Sequence, residues 1–251
     1  EVMIRRYHTA LITGAASGIG YSILKKLSAY KYKIYALDKN KNKLQKVCIE
    51  TGANPIYLDI TDTNLLYSKL SKLNIDILIS NAGIGNGIEG LLKSSKTDIV
   101  NSTRVNYESV LHIIKNIVPK MVKKRSGHIF LISSIAGLYP TDSAIYSSQK
   151  TGIHKIAQSL RIELSGSRVK LTEIAPGRTN TAFGDKIFSN NKAKKNFKNS
   201  FQTLDPEDIS NALIFALNTK WKTNISLVEI LPTEQSPGGI PIVSVKNPIL
   251  E

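Results

Sequence analysis

Seven short apolar runs alternate with longer amphipathic stretches along this chain, and that alternation constrains its fold more than any other feature. The runs are Ala10–Ile12, Lys33–Leu37, Pro55–Leu58, Ile75–Ile79, His128–Ile132, Val169–Ile174 and Ile225–Ile230. Between them, stretches near 18–30, 41–50, 62–73, 97–124, 144–165 and 206–218 carry helical spacing. Repeated strand–helix–strand units predict a parallel sheet buried under helices on both faces. Right-handed crossovers make such a sheet doubly wound, with its ligand crevice at the carboxyl ends of the strands.

At 251 residues, 41% of them hydrophobic, the chain suffices for one domain spanning 1–251. The segment of different character is 177–203, rich in Asn, Lys and Ser, with Phe183, Phe188, Phe197 and Phe201 widely spaced. Its place after a strand suggests a substrate lid; a plain surface loop is the alternative. No run of 18 apolar residues occurs, so no membrane span is expected. The N-terminal stretch Glu1–His8 reads as neither a signal peptide nor a transit peptide. A single cysteine, Cys48, excludes an intramolecular disulfide and a cysteine-based metal site, and suits a cytoplasmic location. No metal is expected. The net charge of +15 raises nucleic acid as a partner, but the lysines are scattered, often beside asparagine, as in Lys39–Lys43. That pattern is a compositional bias, and no nucleic-acid partner is expected.

Thr13-Gly14-Ala15-Ala16-Ser17-Gly18-Ile19-Gly20 leads from the first strand into the first helix. Glycines allow a tight turn and close approach of a pyrophosphate, while the helix N-terminus offers N–H groups and a positive dipole end. The position in a βαβ unit matters more than the glycines themselves. It makes the fold Rossmann-like, with a dinucleotide as the expected cofactor. Asp38 ends the second strand, where a carboxylate accepts bonds from ribose hydroxyls and repels a 2′-phosphate. A preference for NAD is therefore expected, with NADP left open by Lys39, Lys41 and Lys43 nearby. Asp59, after the third strand, is placed to reach the adenine, and Asn81-Ala82-Gly83 follows the fourth.

Tyr146 and Lys150 stand at i and i+4 in a helix, which puts phenol and ammonium on one face. A nearby cation stabilises phenolate, so Tyr146 can exchange a proton with a carbonyl or alcohol oxygen. Alone the pair is ordinary helix-surface chemistry. Ser133-Ser134-Ile135-Ala136-Gly137 closes the fifth strand, where a serine hydroxyl can bond the substrate oxygen. Asn106, inside the long preceding helix, can brace a water in a proton path or simply bond backbone.

Taken in order, the Thr13–Gly20 turn, Asn81-Ala82-Gly83, Asn106, Ser134, Tyr146-x3-Lys150 and Pro176-Gly177 resemble the short-chain dehydrogenase/reductase family over nearly the whole chain. The resemblance implies Tyr146 as general acid/base and Lys150 as the group that lowers its pKa and binds the nicotinamide ribose. It implies Ser134, preferred to Ser133 by the Ser-x-Ala-Gly pattern, as the residue orienting the substrate oxygen, and Asn106 as holder of a relay water. Pro176, Gly177 and Thr181 would meet the nicotinamide side. The interval from Ser134 to Tyr146 is one residue shorter than the family pattern, so the loop Leu138–Ile145 departs from it. The stretch Asn224–Gln235 is similar to 3-hydroxy acid (serine-type) dehydrogenases, many of which prefer NADP.

The function expected is hydride transfer between nicotinamide and a small alcohol or carbonyl substrate; a non-catalytic dinucleotide-binding regulator or scaffold is the alternative. Family members assemble as homodimers or homotetramers, which the resemblance implies here through the helices at 97–124 and 144–165. Ile153, Ile156 and Leu160 fit that role or core packing equally. Arg178 and Lys186 would attract an acidic substrate, or share the general basic bias. The substrate itself carries no fingerprint.

Overall fold

A computed structural model describes residues 7–86, 90–183 and 202–236. Seven parallel strands form one sheet: β1 Thr9–Thr13, β2 Lys33–Asp38, β3 Asn54–Tyr57, β4 Ile77–Ser80, β5 Gly127–Ile132, β6 Val169–Pro176 and β7 Leu227–Ile230. Their spatial order is β3-β2-β1-β4-β5-β6-β7. The described helices are α1 Gly18–Ser28, α2 Lys41–Thr51, α3 Thr63–Leu70, α4 Lys96–Thr103, α5 Ser109–Lys124, α6 Ala144–Glu163 and α7 Pro206–Leu217.

The central strands are apolar on both faces, as a sheet covered twice must be. Alternate residues feed two cores. Ala10, Ile12, Ile77, Ile79, Phe130 and Ile132 face α1, α2 and α7, where Ile23, Leu44 and Leu213 meet them. Leu11, Leu78, Ile129 and Leu131 face the other way, onto Leu66 of α3, Ile113 of α5 and Ile153 of α6. Burying a side chain of this size contributes about 1.5–3 kcal/mol, so a one-residue slip of any central strand is strongly opposed. Ile153 and Leu160 lie in that second core, and Ile156 packs against it. Ile153 and Leu160 are thus core residues, while Ile156 stays half-buried at the edge of the cluster.

The strand order reverses between β1 and β4, which pair in register through Leu11 and Leu78. That switch point places the ends of β1, β4 and β5 around one crevice. The helix expected over 97–124 is present as one continuous helical segment, in which α4 passes through a wide π turn at Arg104–Glu108 into α5. Such a turn inserts one extra residue and is frequent at functional sites. Among the described residues, no helix is long and apolar enough to cross a membrane. Most of the expected lid, 184–201, with Lys186 and three of its phenylalanines, lies outside the described residues.

Candidate active site

The glycine turn is built by close packing. Gly14 has φ +67°, and a Cβ there would stand 2.9 Å from both the Ala82 Cα and the Asn81 side-chain nitrogen. A Cβ at Gly20 would stand 2.1 Å from the Gly14 carbonyl oxygen. Asn81 closes the turn from β4, donating through Nδ2 to the carbonyls of Thr13 (3.0 Å) and Gly14 (3.2 Å). The Thr13 hydroxyl accepts from the N–H groups of Asn81 (3.0 Å) and Ala82 (3.1 Å). These bonds tie the ends of β1 and β4 across the switch point.

The helix that follows is left open to an anion. α2 and α3 are capped by Asn40 and Asp62, which accept from Lys43 and Leu65. Ser17 makes no side-chain cap at α1, whose first turn carries no acidic residue. The backbone N–H groups of Gly18, Ile19 and Gly20 and the dipole there suit a pyrophosphate. Thr181 lies against Gly18, its Cγ2 3.2 Å from where a Cβ would be, so the chain after β6 reaches this turn. Gly177 is held by its N–H to the Ile230 carbonyl (2.7 Å), and Gln235 accepts from Arg178 N–H (2.7 Å) beside it.

Asp38 and Asp59 are both engaged with their own turns. Asp38 Oδ2 accepts from Ala16 N–H (3.1 Å) and Oδ1 from Asn40 N–H (2.9 Å). Asp59 Oδ1 accepts from the N–H and hydroxyl of Thr61, and Oδ2 faces Lys39 Nζ at 3.5 Å. Burial raises the Asp59 pKa, but these bonds and Lys39 outweigh it and hold the carboxyl below its ordinary value.

At the other end of the crevice, β5 and α6 bring together Ser134, Tyr146 and Lys150. The Ser134 hydroxyl hydrogen-bonds that of Tyr146, so the shortened interval between them does not separate them. Ser134 also accepts from Ala136 N–H at 3.2 Å, which orients it. Burial pushes Tyr146 up to about 12, opposed by the bond from Ser134. Tyr146 is half-buried, and its remaining exposure limits that push. Burial brings Lys150 down to about 8, opposed by the charge of Glu173. Lys150 Nζ donates to the Ile132 carbonyl (3.1 Å) and lies 5.7 Å from the Tyr146 ring centre. The ring of Phe183 stands 5.9 Å from that of Tyr146.

Asn106 sits in the π turn, 1% exposed, and bonds Ile84 twice, accepting from its N–H (2.8 Å) and donating to its carbonyl (2.9 Å). It also donates to Gln149 Oε1 at 2.8 Å. Gln149 in turn donates to the hydroxyls of Ser102 and Thr103. Gln149 was not anticipated, although it lies inside the Tyr146-x3-Lys150 stretch. Gln235 and Glu173 were also missed.

The geometry has counterparts among known proteins. A family model described as short chain dehydrogenase matches residues 8–192. The NADP-dependent 3-hydroxy acid dehydrogenase of Escherichia coli (strain K12) is 31% identical over 242 residues, covering 92% of this chain and 97% of the relative. A probable NADP-dependent dehydrogenase of Haemophilus influenzae is 30% identical, covering 95% and 98%. The closed form of a serine dehydrogenase complexed with NADP+ superposes with a TM-score of 0.87 at 30% identity, covering 94% and 99%. These findings overturn the expected preference for NAD, since the named relatives are NADP-dependent and the superposed enzyme holds NADP+. At Asp38 each oxygen already accepts one backbone N–H group of the turns it shapes, and Lys39 follows it directly, so the carboxylate alone does not set the preference.

Proposed function

The chain belongs to the short-chain dehydrogenase/reductase family, and from that premise we propose that it is an NADP-dependent dehydrogenase of small hydroxy acids. The observation that carries the chemistry is the convergence of Ser134, Tyr146 and Lys150 at the ends of β5 and α6, beside an uncapped helix N-terminus. The glycine cradle, which a Cβ at Gly14 or Gly20 would fill, fits a dinucleotide. Thr13, Gly14, Ser17, Gly18, Ile19 and Gly20 would hold its pyrophosphate, and Lys39, beside Asp38, would meet a 2′-phosphate. Asp59 would border the adenine; Asn81, Ala82, Gly83, Pro176, Gly177 and Thr181 would flank the nicotinamide half. When bound, the nicotinamide supplies or accepts the hydride.

The chain's own residues manage the proton and the substrate. In carbonyl reduction, the Tyr146 hydroxyl gives its proton to the substrate oxygen, and the reverse direction returns it. Ser134, fixed by Ala136 N–H, donates to the same oxygen and holds it beside Tyr146. The Lys150 ammonium favours the phenolate left behind and would bond the nicotinamide ribose. Asn106 keeps the π turn and the Ile84 backbone in place next to Gly83, where it would hold a relay water. Arg178, half-buried and brought down to about 10 by burial, is the cation at this rim suited to a substrate carboxylate. Phe183, its ring against that of Tyr146, would border the substrate.

Assembly as a homodimer or homotetramer is part of the same reading, supported by Ile99, Val100, Leu111 and Val122, exposed apolar side chains on α4 and α5. A cytoplasmic location is supported by the single thiol, Cys48. The test is turnover: 3-hydroxy acids should reduce NADP, followed by nicotinamide absorbance, in a panel that includes simple secondary alcohols. Activity on none of the acids would overturn the substrate class.

A further inference from the structure

The stripe on α6 that carries Tyr146 and Lys150 continues one turn further to His154. His154 Nδ1 lies 2.8 Å from Glu173 Oε2, and Glu173 is fully buried in β6. Glu173 Oε1 accepts from the Ser133 hydroxyl at 2.6 Å. Ser133 is itself pinned, its N–H donating to the Ile174 carbonyl at 2.8 Å. Three consecutive residues at the end of β5 thus have three separate duties. Ile132 receives Lys150, Ser133 binds Glu173, and Ser134 meets Tyr146.

A carboxylate without exposure is costly unless its lone pairs and charge are answered. A hydrophobic residue at position 173 would fill the sheet face at no such cost, so the acid's interactions call for a role. Among the described residues, the charged groups seen to act on it come from α6: Lys150, His154 and Arg161. From β7 the residue in register is Leu227, and the next acid on that strand, Glu229, lies opposite Ala175 and accepts from Tyr139. Glu173 is therefore the acid that faces the inner side of the Tyr146–Lys150 stripe.

Resting on the reading of Tyr146 and Lys150 given above, we propose that Glu173 is a positioning residue of the hydride-transfer site. Its carboxylate keeps the buried Lys150 in its ammonium form and, through Ser133, seats Ser134 against Tyr146. His154 closes the loop by fixing the carboxylate from the helix side. The sign of the charge effect is fixed: burial pulls the Lys150 pKa down, and the Glu173 charge pulls it up. Removing that charge must bring Lys150 down further, so the ammonium is lost at lower pH.

The experiment is the pH profile of kcat for NADPH-dependent reduction, measured on full-length wild type, Glu173→Gln and Glu173→Asp. The glutamine keeps the volume and a hydrogen-bond acceptor but removes the charge. Its high-pH fall in kcat should move acidward by about one pH unit, and aspartate, which restores a carboxylate, should bring it back toward the wild-type position. A purely structural residue would lower kcat or stability and leave the position of the fall unchanged, and that result would overturn the proposal. Should Glu173→Gln fail to fold, Ser133→Ala tests the second half. It retains the charge, so kcat should drop by about tenfold with the fall in place and the KM for NADPH unchanged. Unchanged kcat in Ser133→Ala would overturn it. Tyr146→Phe in the same series separates the two readings. Full turnover there sinks the proposed function, whereas an inactive Tyr146→Phe beside an unshifted Glu173→Gln sinks only the role of Glu173.

Discussion

The Nζ of Lys150 lies 5.7 Å from the centre of the Tyr146 ring, one helical turn along α6, and donates to the Ile132 carbonyl at 3.1 Å. The ammonium is thereby anchored to the strand that carries Ser134, so the distance between strand and helix fixes the geometry of all three groups. Replacing Tyr146 by Phe removes the proton donor while keeping the ring beside Phe183. Turnover should fall by about a thousandfold, the range expected of a general acid, with the Kd for NADPH within about threefold of wild type. Steady-state kinetics and fluorescence titration check the two halves; substantial residual turnover would refute the assignment.

The pH dependence of reduction follows from the same two groups. Tyr146, pushed up to about 12, stays protonated and able to donate throughout the ordinary range. Lys150 is a base lowered to about 8, so it is an ammonium below that pH and loses its charge as pH rises through it. The kcat for carbonyl reduction should therefore be flat on the acid side and decline above about 8. A decline with falling pH through the same region would contradict the assignment of the ammonium as the working form.

Much of this site was legible in the chain because its parts are local. The turn Thr13–Gly20, the Tyr146–Lys150 pair and Asn81–Gly83 each need only a strand end or a helical turn to be placed. Glu173 was hidden for the opposite reason. It lies within the run Val169–Ile174, and its partners Ser133 and His154 stand 40 and 19 residues away, joined only when β5 pairs with β6 and α6 docks on it. The π turn at Arg104–Glu108 escaped because its residues, Arg-Val-Asn-Tyr-Glu, include no glycine or proline to mark it. Asp38 misled because its sequence position shows a carboxylate but not the N–H groups of Ala16 and Asn40 that occupy it.

That occupation leads to a prediction about the cofactor. With Asp38 committed to its turns, Lys39 is the neighbouring charge on the solvent side, its side chain 65% exposed and 3.5 Å from Asp59. NADPH should bind more tightly than NADH. Lys39→Ala should raise the Kd for NADPH by about tenfold and change that for NADH by less than about twofold. Fluorescence titration with both nucleotides decides it, and equal losses for both would remove Lys39 from 2′-phosphate recognition.

The glycine cradle offers a comparison with an internal control. Gly20→Ala would place a methyl group 2.1 Å from the Gly14 carbonyl oxygen and 2.7 Å from Asn81 Nδ2, so the turn must open to admit it. Overpacking against backbone costs about 1–3 kcal/mol, which for a chain of this length lowers Tm by roughly 2–10 °C. Opening the turn also breaks the surface offered to the pyrophosphate, so NADPH affinity should fall with it. Gly52→Ala meets the opposite situation: its backbone is left-handed, at φ +72°, unlike the helical Gly20, and it has open space around it. It should lose about 1–2 kcal/mol of stability from the backbone alone and bind NADPH as wild type does. Equal loss of NADPH binding in both variants would show that the effect is global destabilisation, and that the close packing of Gly20 on Gly14 does not shape the cofactor site.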